Sequence, residues 1–428
     1  MAGNRKRKES IMIARVLSIA LVATLFFPAG SARADAGSDV VLQWNAIMET
    51  TVSGQNPFAQ ARIAAITQLA AFEAVNATTG QFDPYLGSIS AAPGASPEAA
   101  AVSAAHDVLA NYVPLAATAL DAAATASLAA IPDGQSKQDG IAVGADAAAA
   151  LIALRSTDGS SPAQFFQPAF ADPGVWQPTP GCPPAGGILF HWQNVTPFGI
   201  QSNAQFRSAP PPALSSAEYA RDYNEVLRVG GVDSAGRPAD RADVARLFAA
   251  LSAAGAWNSV ARQLAEGTGT SLTENARILA LLNMAISDGL TSSMETKYQS
   301  VFWRPETAIR AGDSDGNPGT IRDADFAPLI TTPCFPGYPS AHASASYAAR
   351  AILVRFWGGG GHSLVLSHPA LAGMVFSYTS LKQITDDIDD ARVYGGIHFR
   401  FDQEAGAKQG RKIGQYVYTH NLLADDQN

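Results

Sequence analysis

The amino-acid sequence predicts an all-α protein. Residues 56–78 carry Ala, Ile, Leu and Phe at helical spacing, and residues 99–154 form an Ala-rich run. No part of the sequence reads as a series of alternating strands. With 428 residues and a hydrophobic content of 47%, the chain can bury a large core, as one large domain or two smaller ones.

The first 34 residues have the pattern of a secretory signal. Basic residues at positions 5–8 precede an apolar run from about 16 to 27, and small residues follow at 32–34. The apolar run is short for a membrane span, which needs ~20 residues. We therefore expect an exported protein, extracellular or periplasmic, with no stable membrane span after processing; the alternative is an uncleaved N-terminal anchor.

The charge of the chain limits its partners. The formal net charge is -8, and loss of residues 1–34 makes the chain more acidic. Such a protein is a poor binder of nucleic acid and has no basic stripe for anionic membranes. Beyond the signal we expect two helical regions, 35–215 and 216–428, packed as one compact unit; the sequence does not determine the oligomeric state.

Helix boundaries follow from turn and cap residues. The Ala-rich run is expected to break near Pro114 and again at 131–134, which indicates at least two helices. Helices resume near Ser216. The capping-box pattern Ser271–Glu274 opens a helix that runs towards Asp288–Gly289.

Residues 157–215 differ in character, with many Pro and Gly and little periodicity. A long ordered loop of this kind commonly covers or shapes a binding site, and a plain surface connection is the alternative. Cys182 and Cys334 are the two cysteines of the chain. Export makes a disulfide between them plausible, and two separate buried thiols are the alternative.

Three segments in the last third of the chain hold groups suited to a tetrahedral oxyanion. They are Lys297–Pro305, Pro339–His342 and Arg392–Asp402. Together they bring one Lys, two Arg, one Ser and two His. In an acidic chain, such a cluster is a local inversion of charge.

Lys297 and Arg304 form the first pair. Seven residues separate them, or two helical turns, so a helix that continues to Pro305 would place both on one face. Arg offers a planar fork of donors and Lys a point charge, a combination suited to phosphate-like ligands. By itself, a basic pair on a helix is more commonly a solvated face.

Ser340 precedes an Ala-rich stretch, 341–353, that reads as a helix. As the N-cap, Ser340 would leave the first backbone N–H groups, including that of Ala341, free to bind an anion. His342 follows in the first turn. The simpler alternative is a cap beside a surface histidine.

The third segment places Arg392, His398 and Asp402 around a turn at Gly395–Gly396. Asp402 is four residues beyond His398 and can accept a hydrogen bond from its Nδ1, which leaves Nε2 as ligand or nucleophile. Without the other two segments, a structural His–Asp pair would be the ordinary interpretation.

The three segments resemble the signature of the vanadium-dependent haloperoxidases and the type 2 phosphatidic acid phosphatase superfamily. That signature reads Lys-x6-Arg-Pro, Pro-Ser-Gly-His and Ser-Arg-x5-His-x3-Asp, and all three parts occur here in order with matching spacings. Ala341 replaces the usual Gly and Ala391 the usual Ser. The resemblance implies an all-α fold of helical bundles with the anion site inside one of them.

The resemblance also implies roles. His398 would be the apical ligand of vanadate, and His342 the acid–base group that assists peroxide binding. The vanadate oxygens would be bound by Lys297, Arg304, Ser340, the N–H of Ala341 and Arg392. Vanadate, at constant oxidation state, would activate hydrogen peroxide to oxidise a halide, and the hypohalous species would halogenate a small organic acceptor.

A phosphatase is the alternative function. The same pocket would hold a phosphate ester and no cofactor, with His398 as nucleophile, Asp402 orienting it and His342 protonating the leaving group. A third possibility, a non-catalytic oxyanion-binding protein, would have no use for His342. The continuous likeness of residues 304–342 to bacterial vanadium haloperoxidases favours the peroxidase.

Two further features are ambiguous in sequence. Phe335 stands seven residues before His342. In the family that this chain resembles, Phe at this position is typical of chloroperoxidases and His of bromoperoxidases, so Phe335 is the candidate halide-pocket residue.

The Asp-rich stretch 313–319 suggests calcium, but Gly316 is misplaced for an EF-hand and position 324 is Ala. We interpret that stretch as a turn.

Overall fold

Helices make up most of residues 39–424, the part of the chain that the structure, a computed structural model, describes. The all-α prediction is confirmed. The predicted signal and its alternative, an N-terminal anchor, lie outside the described residues. No helix within 39–424 has the length and apolar character needed to cross a membrane.

The N-terminal half contains five α-helices among the described residues. They are α1 Val40–Val52, α2 Pro57–Thr79, α3 Pro97–Tyr112, α4 Ala117–Ala129 and α5 Gln135–Arg155. The Ala-rich run breaks where predicted, at a 3₁₀ turn beginning at Pro114 and again before Gln135. Both breaks follow from Pro, which cannot donate a backbone hydrogen bond.

The C-terminal half holds the remaining described helices and a small sheet. The helices are α6 Ala217–Val229, α7 Ala239–Ala250, α8 Ala253–Thr268, α9 Leu272–Ser300, α10 Pro305–Arg310, α11 Ala341–Trp357, α12 Leu381–Tyr394 and α13 Arg400–His420. The strands are β1 Gly360–Ser367 and β2 Val375–Ser380.

Helix α9 is the central element of the fold. The capping box predicted at its start is present, with Ser271 and Glu274 bonded reciprocally. The helix does not end at Gly289, where the sequence suggested a stop, but continues to Ser300. Gly289 serves close packing instead, because a Cβ there would lie 2.9 Å from the Cα of Ala345 on α11.

Helices α11 and α13 pack closely beside α9. At Gly410 of α13, an added Cβ would lie only 2.1 Å from the carbonyl oxygen of Ser344 on α11, so no other residue fits this crossing. The hydrophobic core continues from these helices into α2 and α8. The described residues therefore form one contact unit, in which the C-terminal helices carry the oxyanion-binding segments.

The two-stranded antiparallel sheet was not predicted. β1 pairs with β2, with Leu364 opposite Tyr378 and Leu366 opposite Phe376. Leu364 and Tyr378 are buried while Val365 and Val375 are exposed, the alternation expected of a strand with one covered face. The alternation of buried and exposed residues covers only two short strands, so it gives a weak signal in a sequence that is mostly helical.

The Pro/Gly-rich segment 157–215 packs on α9. The buried carboxylate of Asp288 accepts hydrogen bonds from the backbone N–H groups of Phe198 (2.6 Å), Gly199 (2.7 Å) and Ile200 (3.0 Å). The predicted disulfide Cys182–Cys334 is formed. The segment is thus tied to the residue that precedes Phe335, beside the predicted site.

Candidate oxyanion site

Lys297 and Arg304 converge by a different route from the one predicted. Helix α9 ends at Ser300, and Val301 adopts a left-handed conformation with φ 46°. The chain then runs extended to Arg304, the N-cap of α10. The extended stretch is held by the 157–215 segment, since Trp303 N donates to Gly174 O at 2.9 Å. The expectation of one continuous helix was wrong.

Lys297 is completely buried at the end of α9. Its Nζ donates to the carbonyl oxygens of Pro336 (2.9 Å) and Gly337 (2.7 Å). The nitrogen also lies 5.4 Å from the centre of the Phe335 ring, a distance at which the ring face attracts a cation. Lys297 therefore anchors the chain that leads into the second segment.

Arg304 is also completely buried. Its Nε donates to Phe335 O, and its Nη1 donates to Ile397 O and to Nε2 of His398, each at 2.9 Å. For Nη2, which is buried, residues 39–424 provide no hydrogen-bond acceptor. A buried guanidinium donor of this kind is costly unless a ligand oxygen accepts from it.

The second segment forms the start of α11, as predicted. Ser340 is the N-cap, and its Oγ accepts a hydrogen bond from Ala343 N at 3.3 Å. The N–H groups of Ala341 and His342 lie in the first turn and have no intrahelical acceptor. His342 Nε2 is 3.5 Å from the carbonyl oxygen of Leu251.

Arg392 lies in the last turn of α12 and is 6% exposed. Its Nη1 donates to Phe248 O at 2.8 Å, and its buried Nε has no acceptor among the described residues. Arg392 therefore repeats the pattern of Arg304, with one end of the guanidinium fixed by the protein and another donor left over.

His398 and Asp402 form the predicted pair. Nδ1 of His398 lies 2.8 Å from Oδ2 of Asp402, which also accepts from Phe399 N at 3.1 Å. His398 precedes α13 and Asp402 lies in its first turn, so the contact comes from the bend at the helix start rather than from helical spacing. A proton on Nδ1 leaves the lone pair of Nε2 to accept from Arg304 Nη1 or to bind a ligand in its place.

Burial shifts the pKa values of the whole cluster. It lowers the pKa of Lys297 far below its ordinary value, with help from Arg304, and lowers that of Arg304 to about 9. Burial lowers the pKa of Arg392 to about 10 and raises that of Asp402 to about 7. Cations held in such surroundings gain stability when an anion binds among them.

Both histidines are neutral near pH 7. Burial, followed by the charge of Arg304, lowers the pKa of His398 far below its ordinary value. Burial and the charge of Arg392 lower the pKa of His342 to about 3. His398 can therefore offer the Nε2 lone pair to a ligand, and His342 can accept a proton.

Several backbone groups that complete the site have no signal in the sequence. The carbonyl oxygens of Phe248 and Leu251, near the end of α7, contact Arg392 and His342. Those of Pro336 and Gly337 hold Lys297. Every residue type has a carbonyl oxygen, so no motif marks these positions.

The Asp-rich stretch 313–319 forms a turn and is not part of this cluster. Oδ1 of Asp315 accepts from Asn317 N at 2.8 Å and from Thr320 Oγ1 at 2.9 Å. Within the described residues, no group of three or more His, Cys, Asp or Glu side chains is arranged to hold a metal ion. The pattern matches an Asx turn.

The departure at Ala341 has little expected effect on anion binding. The group at position 341 that would bind the anion is the backbone N–H, which Ala and Gly both have. We expect Ala341→Gly to change the dissociation constant for orthovanadate less than about twofold and to lower the free energy of unfolding by no more than ~1 kcal/mol. Titration calorimetry and urea unfolding measure the two quantities. Ala351→Gly, further along α11, is the control; a large gain in affinity would show that the methyl group crowds the ligand.

The site and fold define a class: a helical-bundle protein with a buried cationic site for a tetrahedral oxyanion. Comparison with known sequences narrows this class to particular relatives. The family described as the VCPO second helical-bundle domain matches residues 277–424. Vanadium chloroperoxidase from Curvularia inaequalis is 26% identical over 203 residues. That match covers 40% of this chain, and it spans about a third (32%) of the length of the relative.

Solved structures extend the likeness to nearly the whole chain. The first bacterial vanadium-dependent iodoperoxidase is similar with a TM-score of 0.74 and 27% identity, over 91% of this chain and 97% of that one. A bacterial vanadium-dependent chloroperoxidase in its holo form shares the fold, with a TM-score of 0.70 and 17% identity over 86% and 94% of the two chains. Residues 277–424 thus resemble the second helical-bundle domain of that family, and the chain shares its fold with bacterial vanadium-dependent haloperoxidases.

Proposed function

We propose that the protein is a vanadium-dependent haloperoxidase that uses vanadate and hydrogen peroxide to oxidise halide to a hypohalous species. One observation carries the proposal: Arg304 and Arg392 each keep a buried donor that lacks an acceptor in residues 39–424, and Arg304 directly contacts the unprotonated Nε2 of His398. This donor set fits a tetrahedral oxyanion that also takes one nitrogen ligand.

The residues divide the binding between them. His398 would hold vanadium through Nε2, while Lys297, Arg304 and Arg392 would bind the oxygens. Ser340 and the N–H of Ala341 would bind oxygens at the start of α11. Asp402 fixes the ring of His398 by accepting from Nδ1. When bound, vanadate supplies a Lewis-acidic centre through which an oxygen of peroxide passes to halide at constant oxidation state.

His342 supplies the proton acceptor. Burial and the charge of Arg392 lower its pKa to about 3, so the imidazole is neutral at neutral pH. An oxyanion held by Arg392 would raise that pKa and make the ring a better acceptor for a proton of hydrogen peroxide. Leu251 O, 3.5 Å from Nε2, limits how the ring can turn. A phosphatase would need the same ring as a proton donor to the leaving group, and the lowered pKa does not separate the two functions because it weakens the ring in both roles.

A phosphatase remains the second candidate because phosphate and vanadate share shape and charge. His398 would then be the nucleophile and Asp402 the group that orients it. The likeness to haloperoxidase structures over nearly the full chain favours the first function. Export to the extracellular space or the periplasm is part of the proposal and rests on the sequence of residues 1–34 alone.

Halide preference is proposed to depend on Phe335. Its ring lies 5.1 Å from the guanidinium carbon of Arg304 and 5.4 Å from Lys297 Nζ. A His at that place would add an ionisable group, whereas Phe contributes only its ring face. The family resemblance associates Phe with chloride oxidation, so chloride, bromide and iodide should be compared.

The test uses purified protein with hydrogen peroxide and each halide, before and after addition of orthovanadate, with a dimedone-type reporter. Hydrolysis of p-nitrophenyl phosphate is measured in parallel. Halogenation that appears only with vanadate supports the peroxidase. Ester hydrolysis inhibited by vanadate, without halogenation, would assign the phosphatase instead.

Arg392→Ala provides a quantitative check of the ligand set. We expect this change to weaken orthovanadate binding by roughly 1.5 to 3 kcal/mol, the size of a hydrogen bond to a charged group. Titration calorimetry gives the affinity. Arg246→Ala is the control, since Arg246 is exposed on α7 and pairs with Asp243. Unchanged affinity in Arg392→Ala would exclude this residue from the site.

A further inference from the structure

A cavity of about 470 Å³ adjoins the oxyanion site on the side of His342. It lies between α1, α2, the start of α8 and the turn that joins β1 to β2. Leu251 forms part of its wall, and the carbonyl oxygen of the same residue is 3.5 Å from Nε2 of His342. The cavity and the site therefore share a wall, and the volume suits a small organic molecule.

The wall is largely apolar, with Met48, Val52 and Pro369 among its residues. Its polar groups favour hydrogen-bond donors on the ligand, because Glu49 offers a carboxylate that Arg262 holds from outside. Of the described residues, none that lines the cavity is a Lys or an Arg.

The described residues of these walls offer no cation to an anionic ligand. An acidic ligand would find no Lys or Arg in that part of the wall, and the charge of Arg262 is already paired with Glu49. A neutral or cationic molecule with an apolar body and a hydroxyl or amine fits better. The two compartments thus differ in charge, since the oxyanion site is cationic and the one carboxylate of the cavity wall is paired.

We propose that this cavity binds the organic acceptor of the halogenation, a small electron-rich aromatic such as a phenol. The proposal rests on the proposed function, which supplies the hypohalous acid. In the reaction the O–X bond breaks and a ring carbon forms the C–X bond. The ring proton leaves with the hydroxide as water, and no other reactant is needed. A ring held beside His342 would be attacked at the carbon that faces the site.

The turn between β1 and β2 supplies the outer wall of the cavity through His368, Pro369 and Ala370. Ala370 is exposed, so a larger side chain there can block the cavity without disturbing the core. Ala372 lies in the same turn, is also exposed and does not line the cavity. Ala370→Trp and Ala372→Trp therefore form a matched pair.

Binding is measured first, by titration calorimetry on the full-length protein without vanadate, peroxide or halide. We expect 3-propylphenol to bind with a Kd of about 1 mM or below, and 3-propylbenzoate at least about tenfold more weakly. Ala370→Trp should weaken phenol binding about tenfold, and Ala372→Trp should leave it unchanged. Absence of saturable binding, or equal binding by both tryptophan variants, would overturn the cavity assignment.

Halogenation is measured second, with vanadate, peroxide, bromide and 3-propylphenol, whose ring has three open ortho and para positions. The ratio of brominated isomers should differ from that given by free hypobromite and should approach it in Ala370→Trp. An isomer ratio equal to that of free hypobromite would overturn halogenation inside the cavity. Phenol binding without any halogenation would instead overturn the proposed function while supporting the cavity as a ligand site.

Discussion

Replacing His398 with Ala is expected to abolish vanadate-dependent halogenation and any phosphatase activity. His398 is the residue whose Nε2 faces the donors of Arg304 while Nδ1 is fixed by Asp402. Without it, neither vanadate nor a transferred phosphoryl group has a nitrogen ligand, and we expect activity to fall by at least about a thousandfold. Initial rates with the dimedone-type reporter and with p-nitrophenyl phosphate measure the loss.

His420→Ala is the matched control for His398→Ala. His420 is exposed at the far end of α13, where it stacks on Tyr416. Eighteen helical residues separate it from Asp402, a distance of about 27 Å. His420→Ala should keep full activity, and circular dichroism should show the same helix content in both variants. A His398→Ala protein that retains full activity would overturn the site assignment.

The largest loss of stability is expected for Asp288→Ala. The change leaves three buried backbone N–H groups without their acceptor, those of Phe198, Gly199 and Ile200. Each unsatisfied donor costs about 1–3 kcal/mol, so we expect the free energy of unfolding to fall by at least about 3 kcal/mol. Chemical unfolding followed by circular dichroism measures the difference.

The effect of Asp288→Ala should depend on pH. Burial raises the pKa of Asp288 to about 6 from an ordinary 3.8. A carboxyl with a raised pKa stabilises the folded state most below its unfolded pKa, and this contribution is lost as the pH rises through the folded value. The destabilisation should therefore be larger at pH 5 than at pH 7. Asp146→Ala, at an exposed position on α5, should show little change at either pH.

The sequence predicted the helices well where local chemistry determines them. Ser271 and Glu274 form a capping box, and Ser340 caps α11, because these hydrogen bonds need only neighbouring residues. The breaks at Pro114 and before Gln135 also follow from local rules. Gly289 was misleading, because its role is a close approach to α11 that no local rule reveals.

The site residues were predictable as a group because charged side chains and His at fixed spacings carry chemical meaning. The course of the backbone that brings them together was not predictable. The bend after Ser300 depends on backbone hydrogen bonds from the 157–215 segment, such as that between Trp303 and Gly174. Long-range backbone pairing of this kind depends on the tertiary fold and leaves no periodic pattern in the sequence.

The disulfide between Cys182 and Cys334 and the carbonyls of Phe248 and Leu251 bear on how the site can be inherited. The segment that the family domain matches, 277–424, contains each proposed vanadate ligand. The acceptors of Arg392 and His342, and one half of the disulfide, come from earlier in the chain. Recombination that transferred only residues 277–424 would therefore not transfer the complete site. A gene fragment encoding only the matched segment would carry the ligands without the framework that orients them.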